Sequence, residues 1–299
     1  MAHNPEKYLE IAALLLQSED FISSGALSEA YSQLFPEEPE LDEKFIKDSI
    51  AKVKNFLPEN YFESMRGSGY RVSQDYRKDY SIASSLFLKY LSLVNENALD
   101  YIFEPLTFQF QSRSLLNLVL LEYSKNHNIS VKFLYTKYNR INAEPKQVYV
   151  YKILYRGRKL ILYVRDKKDE KLKILFFTSI DRVELVYEDR FSPLTDEEIM
   201  SKFEYSLGGY IGGEIRDVKL RFLPEFKAQT IKEFFHKSQS LQEEADGSVI
   251  IQLKANHSSE LFDAISNFLE YVEILEPEDW REEYRKKLEK ALSLNKKRD

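Results

Sequence analysis

A multidomain α+β protein is what this sequence predicts, and three observations predict it. Short helical periodicities fill roughly the first 60 residues and run into a hairpin pattern that turns at Gly67 to Gly69. Period-two alternation of β-branched, aromatic and aliphatic residues then runs from Val131 to Tyr187. From Val218 onward, strand and helix patterns alternate to the end of the sequence. At 299 residues the chain is too long for one ordinary core, so two or three domains are expected.

Composition narrows the chemistry. Cysteine is absent, which excludes disulfides, thiolate metal sites and a cysteine nucleophile. The 20 Phe and 20 Tyr mark a globular chain rather than a disordered one. No apolar run approaches the roughly 20 residues that span a bilayer. The opening residues, MAHNPEKYLE, lack the basic-then-apolar form of a signal peptide, so a soluble, cytoplasmic protein is expected.

Taken in order, Pro5 to Leu16 places Tyr8, Ile11, Ala12, Leu15 and Leu16 on one helical stripe. A second helix from Gly25 to Leu34 turns Leu27, Ala30, Tyr31 and Leu34 inward. PEEPELDE interrupts before a third helix, Asp42 to Leu57, whose Ile46, Ile50, Val53 and Leu57 share one narrow arc. Its other face carries Lys44, Asp48, Ala51, Lys52 and Asn55. YFESMRGSGYRV, residues 61–72, reads as a hairpin turning at Gly67 to Gly69. Three short helices and a hairpin make the winged helix-turn-helix outline, in which the third helix enters the major groove. On that outline Asp48 and Asn55 suit base contacts, and Lys44, Lys47, Lys52, Arg66 and Arg71 suit phosphates. The segment is acidic overall, and a helical trio is equally compatible with plain packing.

Tyr80 to Val94 and Ser112 to Tyr123 read as apolar helices. The second is apolar on most of its circumference, which fits either a dimer interface or burial within its own chain. Residues 131–180 then carry 13 Lys and Arg against four Asp and Glu, a net +9 in a chain of −6. Five short strands there can close into a small β-barrel, basic and with aromatics among the charges. That combination suits a polyanion, although exposed basic residues also serve merely as solubilising groups.

LGGYIGG, residues 207–213, has neither the spacing nor the following helix of a dinucleotide fingerprint, and reads as a flexible joint. Beyond it come a strand at Val218 to Phe222 and a helix at Phe226 to Phe235. A hairpin about Asp246-Gly247, a helix at Ser258 to Leu269, a strand at Val272 to Leu275 and a helix at Glu278 to Leu292 follow. That order outlines a ferredoxin-like α+β sandwich. His3, His127, His236 and His257 have no partners at metal-ligand spacing, and no phosphate-cradling loop or nucleophile elbow is present. The chain reads as a non-enzyme with no metal and no cofactor.

The three parts in this order resemble the WYL-domain transcriptional regulators: a winged helix-turn-helix, a WYL domain with a small Sm/SH3-like β-barrel, and a carboxy-terminal WCX extension. The resemblance is carried by SLGGY (206–210) with VKLRF (218–222), by HKSQ (236–239), by Asp246-Gly247 and by VEILEP (272–277). In the barrel it rests on Val131 to Tyr135, Pro145, Gly157 and Ile180-Asp181-Arg182-Val183. In the first part it rests on Lys47-Asp48 and Gly69-Tyr70-Arg71-Val72. The triad that names the family falls on Lys159-Leu160-Ile161.

The resemblance implies a homodimeric regulator that binds double-stranded operator DNA. Its barrel would sense a nucleic acid or nucleotide, single-stranded DNA being the best-attested class, and some relatives control anti-phage defence genes. Domain boundaries on this reading are 1–75, winged helix-turn-helix; 76–127, helical connector; 128–200, WYL barrel; 201–214, glycine-rich linker; 215–299, WCX domain. Ligand phosphates would meet Arg140, Arg165, Lys173 and Arg182, with Tyr135 offering a stacking face. The rival expectation is a protein-interaction adaptor that does not bind DNA and whose barrel docks a partner protein.

Overall fold

A computed structural model describes residues 4–55, 57–76, 79–94, 112–137, 141–156, 159–207, 211–226, 236 and 238–295. The chain divides into two compact units, Met1–Pro193 and Leu194–Asp299.

Local side chains start each of the first three helices. Helix α1 (Pro5–Leu15) has proline at its first position, and the Asn4 side chain accepts from the Lys7 amide at 3.2 Å. Ser23 caps α2 (Ser24–Leu34) by accepting from the Ala26 amide at 3.1 Å. Asp42 caps α3 (Glu43–Lys54) by accepting from the Phe45 amide at 2.7 Å. Ile46, Ser49, Ile50 and Val53 form the buried face of α3, and the Ser49 hydroxyl is satisfied by donating to the Phe45 carbonyl at 2.7 Å. The helix stops at Lys54, short of the expected Leu57. Pro58 restricts the residue before it to extended backbone.

Strands β1 (Phe62–Met65) and β2 (Gly69–Val72) pair antiparallel, Phe62 opposite Val72. Ile22, ahead of α2, adds a third rung that the sequence did not announce. Its amide donates to the Tyr70 carbonyl at 2.8 Å, and the Tyr70 amide donates back at 2.9 Å.

After α4 (Tyr80–Val94), α5 (Ser112–His127) runs four residues past the expected Tyr123, and Asn128 follows in the left-handed region at φ 55°. Leu115, Leu118, Val119, Leu120 and Leu121 on α5 are all buried, against α1 and α4 on one side and the sheet on the other. Of the two expectations for this helix, burial within its own chain is the one observed. Its neighbours in the sheet are β3 (Ile129–Tyr135), β4 (Glu144–Arg156) and β7 (Ile180–Arg190). With β5 (Lys159–Asp166) and β6 (Lys171–Phe176) these strands form one antiparallel sheet, ordered β6-β5-β4-β3-β7. One continuous core, from Tyr8 of α1 through Leu118 of α5 to Val183 of β7, joins the helices to the sheet.

The second unit opens with α6 (Asp196–Lys202), which the barrel-to-linker reading passed over. A capping box starts it: Thr195 accepts from the Glu198 amide, and Glu198 accepts from the Thr195 amide. Then β8 (Ile215–Phe222), β9 (Ser240–Glu243), β10 (Val249–Asn256) and β11 (Val272–Glu276) form a second antiparallel sheet, ordered β11-β8-β10-β9. Helices α7 (Ser259–Ser266) and α8 (Glu278–Leu294) contribute Leu261, Phe262, Ile265, Trp280 and Tyr284 to its core. The helix expected at Phe226 to Phe235 lies, but for Phe226, outside the described residues. No helix among the described residues is long and apolar enough to cross a membrane.

Glu122 is the anomaly in this core. Its side chain is 2% exposed, with Lys125 one turn along as its ion-pair partner. Burial raises its carboxyl above the ordinary glutamate range, and Lys125 only partly reverses this. The folded-state pKa is raised, so the group's contribution to stability is present in acid and is lost as pH rises through the folded value. Glu122→Gln is expected to flatten that loss, because the uncharged amide no longer titrates. Urea unfolding of parent and variant at about pH 5 and about pH 7 checks it.

Candidate nucleic-acid interface

The exposed face of α3 carries Lys44, Lys47, Asp48, Ala51, Lys52 and Asn55, opposite its buried face, as helical spacing dictates. A cleft of about 510 Å³ separates the start of this helix from the β1–β2 hairpin. Ser24, Glu43 and Lys47 line one side of it, and Ser64, Met65, Arg66 and Tyr70 the other. The structure therefore brings Lys47 and Arg66 to one opening.

Most of the cations are not free there. Lys47 pairs with Glu43 at 3.1 Å, and Glu43 also accepts from the Ser24 hydroxyl at 2.7 Å. Those donors hold the Glu43 carboxyl below its ordinary range, the Ser24 hydrogen bond first. The Lys52 ammonium donates to the Tyr8 hydroxyl at 2.6 Å and lies over its ring, 4.5 Å from the centroid. Arg71 pairs with Glu63 at 2.7 Å and covers the Phe21 ring. Lys44 and Arg66 are exposed, and neither has an ion-pair partner among the described residues.

The hairpin's placement depends on one glycine. Gly69 has φ +104°, and a Cβ on it would stand 2.0 Å from the Ile22 carbonyl oxygen, the atom that accepts from Tyr70. Gly67, at the hairpin tip, has φ +82° but open space around it.

The residues expected to hold a ligand on the sheet are distributed differently. Arg140 lies outside the described residues. Tyr135, Lys146, Asp166 and Lys173 share one face, as the ladder pairs Tyr135 with Glu144, Val148 with Asp166 and Val164 with Lys173. Arg165 opposes Tyr149 and so points to the other face, where its guanidinium lies 5.7 Å from the Tyr151 ring centre. Tyr135 is buried at 7% exposure, its hydroxyl accepting from the Phe176 amide at 3.4 Å, so its ring presents no open stacking surface.

Lys173 is committed to two carboxylates, Asp166 at 2.8 Å and Asp169 at 2.7 Å, and Lys146 reaches Asp166 at 2.6 Å. Burial works against the Asp166 charge, yet the Lys146 and Lys173 hydrogen bonds hold its carboxyl well below the usual range. On the other face, Asp189 accepts from Ser130, Gln147 and Lys167 at 2.6–2.7 Å and from Tyr149 at 3.2 Å. It too is held low against the cost of its burial. Lys146, Lys167 and Lys173 are thus paired, one of them by an aspartate beyond the counted stretch, while Lys132, Lys168 and Lys171 stay exposed without an ion-pair partner among the described residues.

Arg182 is exposed, with Asp181 at 3.7 Å, and sits at φ 54° in an irregularity of β7. Two groups that such a bulge takes out of the ladder find one partner in α5. Asn117, 3% exposed, donates to the Ile180 carbonyl at 3.5 Å and accepts from the Val183 amide at 3.2 Å. Arg113, also on α5, approaches the same Asp181 at 3.7 Å. Neither Asn117 nor Arg113 was singled out from sequence. The signal for Asn117 was a lone amide inside SLLNLVLL, which has to find a buried partner.

Residues 214–292 match the family model of the WCX domain. The match covers the second sheet, α7 and nearly all of α8. No curated protein matches the chain. Among solved structures, proteasome accessory factor B/C (PafBC) of Arthrobacter aurescens is similar over 98% of this chain, at 14% identity and TM-score 0.29. This chain spans about half, 48%, of that one. A structure described as a CRISPR Cas-related protein is similar over 97% of this chain and 84% of its own, at 15% identity and TM-score 0.42. Neither likeness assigns a role to any residue. Among the described residues, no group of three or more histidine, aspartate and glutamate side chains is placed to hold a metal ion.

Gly69→Ala is expected to destabilise the first unit by more than about 1 kcal/mol and to detach the hairpin from Ile22. Gly67→Ala, which meets only the backbone cost, should lose about 1 kcal/mol or less. Thermal unfolding of the two variants side by side checks the order.

Proposed function

We propose that this chain is a DNA-binding transcriptional regulator of the WYL type that acts as a homodimer on a pseudo-palindromic operator. On this reading α1 to α3 with the hairpin form a winged helix-turn-helix. The first sheet is an Sm-like sensor barrel, and the second sheet with α7 and α8 is a ferredoxin-like WCX domain. The observation that carries the proposal is the exposed polar face of α3 standing across an open cleft from a hairpin tipped by Arg66. A helix and a wing so placed suit a major groove and its flanking phosphates. The WCX match over residues 214–292 supports the family, and the order β11-β8-β10-β9 supports the ferredoxin-like reading. The sensor's ligand is a nucleic acid or nucleotide, read by the exposed Arg182 and its surroundings. The reading includes no catalytic step, and half-sites lie whole helical turns apart.

A protein-interaction adaptor is the second reading. It is favoured by the pairing of Lys47 with Glu43 and of Arg71 with Glu63, and by the hold of Tyr8 on the Lys52 ammonium, on the very surface that would face DNA. Gel shift on duplex from upstream of the protein's own gene, across a salt series, separates the two. A discrete shift that weakens with salt is expected of the regulator, and its absence would sink that reading. Lys44→Ala and Arg66→Ala should each reduce the salt slope by about one, Lys47→Ala by less because Glu43 already holds that charge.

A further inference from the structure

We propose that the turn between α2 and α3 is a latch, held by the ends of β7 and α5, whose release loosens the first turn of α3. This rests on the reading of α3 as the DNA-contacting helix.

Three residues of the sheet-side body reach this turn. The Tyr187 hydroxyl of β7 donates to the Leu34 carbonyl at the end of α2. Arg190, the last residue of β7, pairs with Glu37 and also donates to the His127 carbonyl at 3.2 Å. His127, the last residue of α5, has its ring nitrogens 3.2 Å from Glu37 and 3.5 Å from Glu38. Its ring stacks on Tyr123 at 4.0 Å, and Tyr123 packs on Phe35, which is 1% exposed. On the other side, the turn is tied to the entry of α3. The Ser28 hydroxyl donates to the Leu41 carbonyl at 2.5 Å, and the Ser24 hydroxyl to Glu43 at 2.7 Å. The stretch from Leu34 to Glu43 is therefore strung between the sensor-side body and the reading helix.

The far ends of the same two elements hold the Arg182 bulge. Asn117 lies on α5 and Arg182 on β7, so each element carries one contact at the bulge and one at the turn. The ion pairs at the turn are half-exposed and individually weak. A grip of that kind lies within reach of a ligand that binds one arrangement better than the other.

The test is amide hydrogen exchange on the full chain, with duplex binding measured beside it. Arg190→Ala combined with Tyr187→Phe is expected to raise exchange several-fold across residues 35–46 while α1 and β4 stay as in the parent. Exchanging the charges, Glu37→Arg with Arg190→Glu, should bring exchange back toward the parent relative to Arg190→Glu alone. Unchanged exchange across 35–46, or an equal rise in α1 and β4, overturns the latch. So does altered exchange with duplex affinity equal to that of a DNA-binding parent. If the parent binds no duplex, the DNA reading fails on its own, and exchange alone decides the latch.

Discussion

One helix with no solvent face along its middle holds the first unit together. Helix α5 is buried at every residue from Asn117 to Ser124, and a helix of that kind has to be enclosed. Helices α1 and α4 enclose it on one side and strands β3, β4 and β7 on the other, so the amino-terminal helices and the sheet share a single core. Each large side chain that core buries is worth roughly 1.5–3 kcal/mol of transfer free energy. Parting the helices from the sheet would expose several at once. Polar groups are drawn into this enclosure as well. Asn117 repairs the ladder at the Arg182 bulge, and His127 emerges at the turn before α3.

Charge is the second constraint, and it works by pairing. Within the basic stretch of the sheet, Asp166, Asp169 and Asp189 take up Lys146, Lys167 and Lys173. The same holds on the helical part, where Glu43 and Glu63 hold Lys47 and Arg71. Arg66 at the cleft, Lys44 on the exposed face of α3, and Lys132, Lys168 and Lys171 on the sheet stay open, without an ion-pair partner among the described residues.

Much of the local architecture was legible in the sequence. The face of α3, the hairpin about Gly67 to Gly69 and the strand alternation from Val131 to Tyr187 are periodic patterns, and periodicity depends only on backbone geometry. The carboxy-terminal landmarks were legible too, and residues 214–292 match the WCX model. Helix α6 was written in the Thr195-to-Glu198 box but was passed over for the glycines that follow.

Partnership was not legible. Counting charges along the chain could not reveal that Asp189 would quench Lys167 or that Asp166 would bind two lysines. Nor could it separate Arg165 from Tyr135 and Lys173, since the face a strand residue takes depends on register and on bulges set by neighbouring strands. The amino-acid order alone determined which segments are helix or strand and which of their faces are apolar, because those follow from bond geometry and water. Only the tertiary structure decided which charges remain open and which turn β7 and α5 grip, because ion pairs and hydrogen bonds form between residues that the fold, and not the sequence, makes neighbours.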